Sequence, residues 1–233
     1  MEDYIYDERE KDRCWYKSVC DCSKCSNSFC IRHYKMDSLT HMALMEGKLK
    51  YSIPLKLDKD GTDKEAYHRL REIQENISDF VNRGKNLLIY SVNTGTGKTE
   101  WSKKLMLSWF NSIWASTDFV CRGLFIYVPS LLSSYKANIS NPNEYFKYID
   151  ENILTADLVV WDELCSKDYT EYEHAYLLNA INQRIAMGKA NVFNTNYSLD
   201  GIQEKLGSRL ASRVIGSSEK IEFVGGDKRS WGV

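Results

Sequence analysis

Apolar positions along the chain change period several times, and each change marks an element. Tyr67, Leu70, Ile73, Ile77 and Phe80 keep a spacing of three to four up to Gly84, which predicts a helix. Asn86 to Ser91 is a short apolar run and predicts a buried strand. A helix from Thr99 to about Asn111 follows, then a strand Leu124–Val128 closed by Pro129, with Ser130 placed to cap the next helix. Leu158–Trp161 predicts a third strand and Glu171 to Met187 a helix. Asn191–Asn194 predicts a fourth strand, Ile202–Val214 a helix and Lys220–Val224 a last strand. Strands alternating with helices imply an α/β fold, a mostly parallel sheet with helices on both faces.

Three zones result. Residues 1–50 hold a cysteine-rich segment and an apolar-periodic stretch from Ile31 to Lys48. Residues 51–63 carry Pro54, Gly61 and several charges and read as a linker; residues 64–233 hold the alternating pattern. With 43% hydrophobic residues the chain has material for a substantial core, and a net charge of −1 excludes a general polycation. Nucleic acid, if bound, needs a local patch. No apolar run is long enough to span a membrane. The start, Met1-Glu2-Asp3-Tyr4, is acidic rather than signal-like, so a cytoplasmic location without membrane contact is expected.

The first strand runs into Val92-Asn93-Thr94-Gly95-Thr96-Gly97-Lys98-Thr99, followed by Glu100 and a helix. Strand, G-x-G-K-T and helix in that order are the parts of a phosphate-binding P-loop. Gly95 and Gly97 let the backbone turn its N–H groups onto phosphate oxygens, and the helix N-terminus adds positive potential. Asn93, Thr94, Gly95, Thr96, Gly97, Lys98, Thr99 and Glu100 are therefore expected to hold ATP. Lys98 reaches the β- and γ-phosphates and the Thr99 hydroxyl holds Mg²⁺. Val92 stands where the usual pattern has its first glycine. Downstream, Leu158-Val159-Val160-Trp161-Asp162-Glu163 sets two acids at the C-terminal end of a buried strand, where parallel sheets bind ligands. Asp162 is placed to reach Mg²⁺ and Glu163 to polarise a water. A solvated acidic turn is the plainer reading of these acids; their order after a P-loop favours the nucleotide reading.

The run Asp157 to Leu164 resembles the second motif of the bacterial helicase-loader family of AAA+ ATPases, the DnaC/DnaI type, which is itself similar to IstB transposition helper ATPases. Asn194-Thr195-Asn196, the segment Leu206 to Val214 and the segment Phe223 to Arg229 resemble further landmarks of that family in the same order. The resemblance covers about Leu87 to Arg229 and implies an AAA+ P-loop domain that hydrolyses ATP. Asn196 would be its polar sensor, Arg213 a finger reaching a neighbouring subunit's nucleotide, and Arg229 a phosphate contact in cis. Read as residues alone, Arg209 and Arg213 line one helix face and Asn196 suits a turn. The resemblance implies a replicative helicase and single-stranded DNA as partners, and a homo-oligomer joined through Arg213. Two other readings stand beside it: an ATPase assisting a transposase, and a nucleotide-switched binding module with negligible turnover.

Cys14, Cys20, Cys22, Cys25 and Cys30 crowd a polar segment, with His33 just beyond. Four of these thiolates suit tetrahedral Zn²⁺, with His33 able to replace one; an iron–sulfur cluster uses the same number. A segment with so little apolar content would take its folding energy from the metal. Some helicase loaders carry an N-terminal zinc module, so the placement fits the resemblance. Cys121 and Cys165 sit beside apolar strands as core residues. Tyr135 and Lys136, in Ser133-Ser134-Tyr135-Lys136, offer base stacking and phosphate contact to a single strand, or are simply an exposed helix end. Trp15, Tyr16 and the helix Ile31–Met45 either dock a protein partner or pack on the ATPase core.

Overall fold

The computed structural model describes residues 31–45, 55 and 61–229. Cys14, Cys20, Cys22, Cys25, Cys30, Trp15 and Tyr16 lie outside the described residues. The order of elements is α1 (Ile31–Met42), α2 (Lys64–Glu75), α3 (Ile77–Asn82), β1 (Asn86–Tyr90), α4 (Lys98–Ile113), β2 (Gly123–Tyr127), α5 (Val128–Asn138), α6 (Glu144–Asn152), β3 (Leu158–Leu164), α7 (Glu171–Ala186), β4 (Ala190–Thr195), α8 (Leu199–Gly216) and β5 (Ser218–Glu222). The five strands form one sheet in the order β2-β3-β4-β1-β5. Every pairing is parallel, with Leu87 opposite Val192 and Glu219, and Phe125 opposite Val160.

Alternate strand residues feed two separate cores, as the pleat requires. Leu87, Ile89, Val160 and Val192 pack on one face with α1 to α4; Leu88, Val159, Trp161 and Phe193 pack on the other with α5 to α8. The strands are thus apolar on both faces, which is why they read as continuous runs in the sequence.

Four local differences from the sequence pattern have physical causes. The helix expected up to Phe80 is two, α2 and α3, broken at Asn76, whose amide and side-chain NH₂ both donate to the Glu72 carbonyl. Pro129 lies in the first turn of α5 rather than after the strand, because a missing N–H costs nothing there; Ser130 is not the cap. Helix α6, short and capped by Asn143, has no counterpart in the pattern. Helix α8 is kinked at Gly207, whose φ of 65° and ψ of 165° are not helical.

Helix α1 and the residues after it belong to the body of the sheet. Met36, Leu39, Ala43 and Met45 are buried in the α1–α4 core. The Ala43 carbonyl accepts the Phe125 amide at 2.8 Å, and the Met42 carbonyl accepts the Tyr148 hydroxyl at 2.7 Å. This segment covers the open edge of β2, an unpaired row of backbone groups that needs a partner. Of the two readings of Ile31–Met45, packing on the core is the one observed. The boundary at residue 50 therefore separates in sequence what is packed together in space. No helix among the described residues is long and apolar enough to cross a membrane.

Candidate functional site

The site lies at the C-terminal ends of β1, β3 and β4, next to the start of α4. The loop after β1 doubles back through Gly95 and Gly97, both in the left-handed region at φ 70° and 101°. A Cβ on Gly95 would also fall 2.0 Å from an Asp227 oxygen, so a larger residue there would have to displace that side chain as well. Val92 is 65% exposed, its side chain in solvent, which explains why the first glycine of the usual pattern is dispensable here. The loop lines a cavity of about 270 Å³, bordered also by Glu163, Asn196 and Arg229.

Lys98 is buried at the floor, its ammonium donating to the Asn93 carbonyl at 3.1 Å and to Thr96 Oγ1 at 3.3 Å. Burial pushes its pKa down to about 8; Glu163 and Asp162 pull it up and Arg229 pushes it down further. The Thr99 hydroxyl lies 3.0 and 3.3 Å from the two Asp162 oxygens and donates to that carboxylate. Asn194 fixes the carboxylate from below: its amide donates to Asp162 Oδ1 at 2.7 Å, while its own oxygen accepts from Ser102 at 2.9 Å. A hydroxyl beside an oriented carboxylate is the hard-oxygen donor set that suits Mg²⁺.

Glu163 sits where the β3–β4 register shifts, between Trp161 and Leu164. Its φ of 58° is a strained backbone for a residue with a Cβ. The turn brings its carboxylate to the cavity, where Asn196 donates to Oε2 at 2.9 Å. Beside it, Thr195 Oγ1 donates to the Leu164 carbonyl at 2.6 Å and locks β4 to the end of β3.

The other expected site residues fall in distinct places. Thr94, Thr96 and Glu100 line the cavity, with Glu100 also paired to Lys103. The Asn93 amide instead faces the C-terminal tail and donates to the Val224 and Gly225 carbonyls, both at 3.1 Å. Arg229 borders the cavity. Arg213 does not join this cluster. It is exposed in an open groove of about 670 Å³ between α7 and α8, donating to Asn182 Oδ1 at 2.7 Å. Arg209, Ser208, Ser212 and Asn179 share that groove, with no carboxylate among its described lining residues.

Two further expectations concern Tyr135 with Lys136 and the cysteine segment. Tyr135 stacks on Tyr176 at 4.9 Å and packs on Phe146, and its side chain is half-buried. Only Lys136 of that pair is exposed. Neighbouring Ser134 does line an open groove of about 610 Å³ that starts at Thr99 and Asp162. The zinc ligands expected within Cys14 to Cys30 lie outside the described residues, and no group of metal-ligating side chains occurs among the described ones. His33, the alternative ligand, is buried on α1.

Sequence reasoning missed Leu55, Tyr67, Asn194 and Lys228 at the site, and Asp63 beneath it. Asn194 carried a signal, a polar residue in a buried strand. Asp63 carried none, since it closes a stretch that reads as linker.

No model of a known family matches the chain, and no curated protein matches it. Solved structures do. The crystal structure of the DnaC helicase loader superposes with a TM-score of 0.62 at 17% identity, covering 76% of this chain and 99% of that one. That of DnaI gives 0.55 at 17% identity, covering 75% and 88%. The chain has the AAA+ P-loop fold. The replication initiator DnaA bound to AMPPCP and single-stranded DNA is similar too, with a TM-score of 0.56 at 16% identity, over 75% of this chain and 50% of that one. These structures bear on the loader half of the resemblance and not on the transposition helpers.

Proposed function

We propose that the protein is a Mg²⁺-dependent ATPase of DNA replication that delivers a replicative helicase to single-stranded DNA. The observation that carries this reading is the convergence of Lys98, the Thr99–Asp162 pair and the Glu163–Asn196 pair around one phosphate-sized cavity. Lys98 and the amides of the loop bind the triphosphate, and Thr99 and Asp162 would hold Mg²⁺, which neutralises phosphate charge when bound. Glu163 accepts the proton of an attacking water and Asn196 orients Glu163. Arg229 contacts phosphate from the same chain.

Arg213 supplies what the cavity of one chain lacks. Its groove, with Arg209, two serines and two asparagines, suits an anion presented by a second copy, and a guanidinium there stabilises the charge of phosphoryl transfer. An isolated chain thus binds ATP and turns it over slowly; DNA or helicase raises the rate by aligning copies. The cysteine segment binds Zn²⁺ and contacts the helicase. Likeness to DnaC and DnaI supports the loader assignment over the other readings. The test is ATP turnover by the purified chain alone, with single-stranded DNA, and with a hexameric replicative helicase. Stimulation by the last two together is expected; strong basal turnover unaffected by either rejects the proposal.

A further inference from the structure

A fully buried carboxylate lies under the nucleotide cavity and takes no part in the chemistry described above. The side chain of Asp63, in the turn entering α2, accepts the Val224 amide at 2.9 Å, the Gly225 amide at 3.0 Å and the Lys228 ammonium at 2.6 Å. The Lys228 ammonium also lies 4.8 Å from the ring centre of Tyr67 and 5.5 Å from that of Phe223, within cation–π range of both. Exposure of the two paired side chains is 8% and 0%. The same tail is tied to the P-loop. The Lys228 amide donates to the Gly95 carbonyl at 2.9 Å, and the Asn93 side chain donates to the carbonyls of Val224 and Gly225.

We propose that Asp63 and Lys228 are positioning residues for the nucleotide: their ion pair clamps the C-terminal tail onto the P-loop and sets the shape of both. Three separate segments, the turn before α2, the loop 93–95 and the tail 223–229, meet at this pair. A buried ion pair is a poor source of net stability compared with an apolar filling of the same volume, but it has one geometry. Here that geometry fixes the carbonyl of Gly95 and places Arg229, the next residue, at the cavity edge. The inference rests on the nucleotide reading above and deepens it.

The test separates position from stability. Asp63→Asn or Lys228→Met alone leaves a buried charge unmatched and destabilises the fold. The double variant Asp63→Asn/Lys228→Met removes both charges. It keeps an oxygen for the Val224 and Gly225 amides and an unbranched stem between Tyr67 and Phe223. The expected result is a folded protein that loses less melting temperature than either single variant, with affinity for a fluorescent ATP analogue lowered about tenfold, as losing a charge-assisted hydrogen bond implies. Wild-type affinity in the folded double variant overturns the inference while leaving the nucleotide reading intact. No binding by the wild-type chain overturns the nucleotide reading and this inference with it. A second measurement needs no variant: in the wild type, the Val224, Gly225 and Lys228 amides should exchange more slowly with the ATP analogue bound. Unchanged exchange under saturating analogue overturns the clamp.

Discussion

Lys98 makes ATP binding a proton-linked event. In the free protein its pKa is about 8, because burial outweighs the pull of Glu163 and Asp162 and Arg229 adds repulsion. Its hydrogen-bond partners there, the Asn93 carbonyl and Thr96 hydroxyl, are neutral. Triphosphate against the ammonium restores the charged form, so ATP binds protonated Lys98 by preference. The sign follows: affinity is full below pH 8 and falls as pH rises through it. With a pKa of about 8, roughly a tenth of a proton is taken up per ATP at pH 7 and about three-quarters at pH 8.5. Affinity should fall about tenfold between pH 7 and pH 9, or about 1.4 kcal/mol. The nucleotide's own last phosphate proton, with a pKa near ~6, is largely gone at the start of this window. Titration calorimetry at pH 8.5 in two buffers of different ionisation enthalpy reads the uptake directly. Lys98→Arg moves the cation's pKa out of the window and should flatten the pH dependence. Binding heat independent of buffer, together with affinity constant from pH 7 to 9, would refute the reasoning.

Glu163→Gln should keep ATP and Mg²⁺ binding and lose turnover by a factor on the order of 10² to 10⁴, since an amide cannot take a proton from water; turnover at the wild-type rate removes Glu163 from that role. Arg213→Ala should spare ATP binding and cut the stimulated rate about a hundredfold or more. Mixed with Lys98→Ala it should recover part of the activity, because an intact P-loop then meets an intact Arg213; mixed oligomers without recovery place Arg213 on an ordinary helix face. Arg184 is wholly buried, its pKa lowered to about 9 by burial, and donates to the carbonyls of Ile153, Ala156 and Ala190 and to Asn191. Arg184→Met strands those acceptors and should cost about 3 kcal/mol, a fall in melting temperature of roughly 10 °C, with ATP affinity unchanged in the folded protein. Metal analysis of the purified chain should find one Zn²⁺, and chelation should leave the melting of the sheet domain in place; absence of zinc removes the metal module.

The sheet and the P-loop were legible because both are written locally. A parallel strand buried on both faces is an apolar run, and a phosphate loop is a contiguous motif between strand and helix. Leu158–Trp161 and Asn86–Ser91 started where β3 and β1 start for that reason; β1 ends one residue earlier, and β3 runs three residues further, through the two acids to Leu164. What stayed hidden depends on distance along the chain. Asp63 meets Lys228 across 165 residues and carries no local pattern; Asn194 stands out as a polar residue in a buried strand, but its partner Ser102 lies 92 residues away. Arg184, on a helix, carries no local mark of being a buried brace, because its partners are carbonyls contributed by other segments. The packing of Tyr135 was hidden for a related reason: α6, the helix the pattern missed, supplies the Phe146 against which it packs. Gly207 alone does not announce a kink; only the backbone does.

The most direct test of the account is helicase occupancy on single-stranded DNA. A hexameric replicative helicase, circular single-stranded DNA and the purified protein are combined with or without ATP, and DNA-bound helicase is counted after a wash. Occupancy should rise when wild-type protein and ATP are both present, and stay at background with Lys98→Ala or without nucleotide. A wild-type protein that binds ATP yet leaves helicase occupancy at the level seen without it would contradict the central claim.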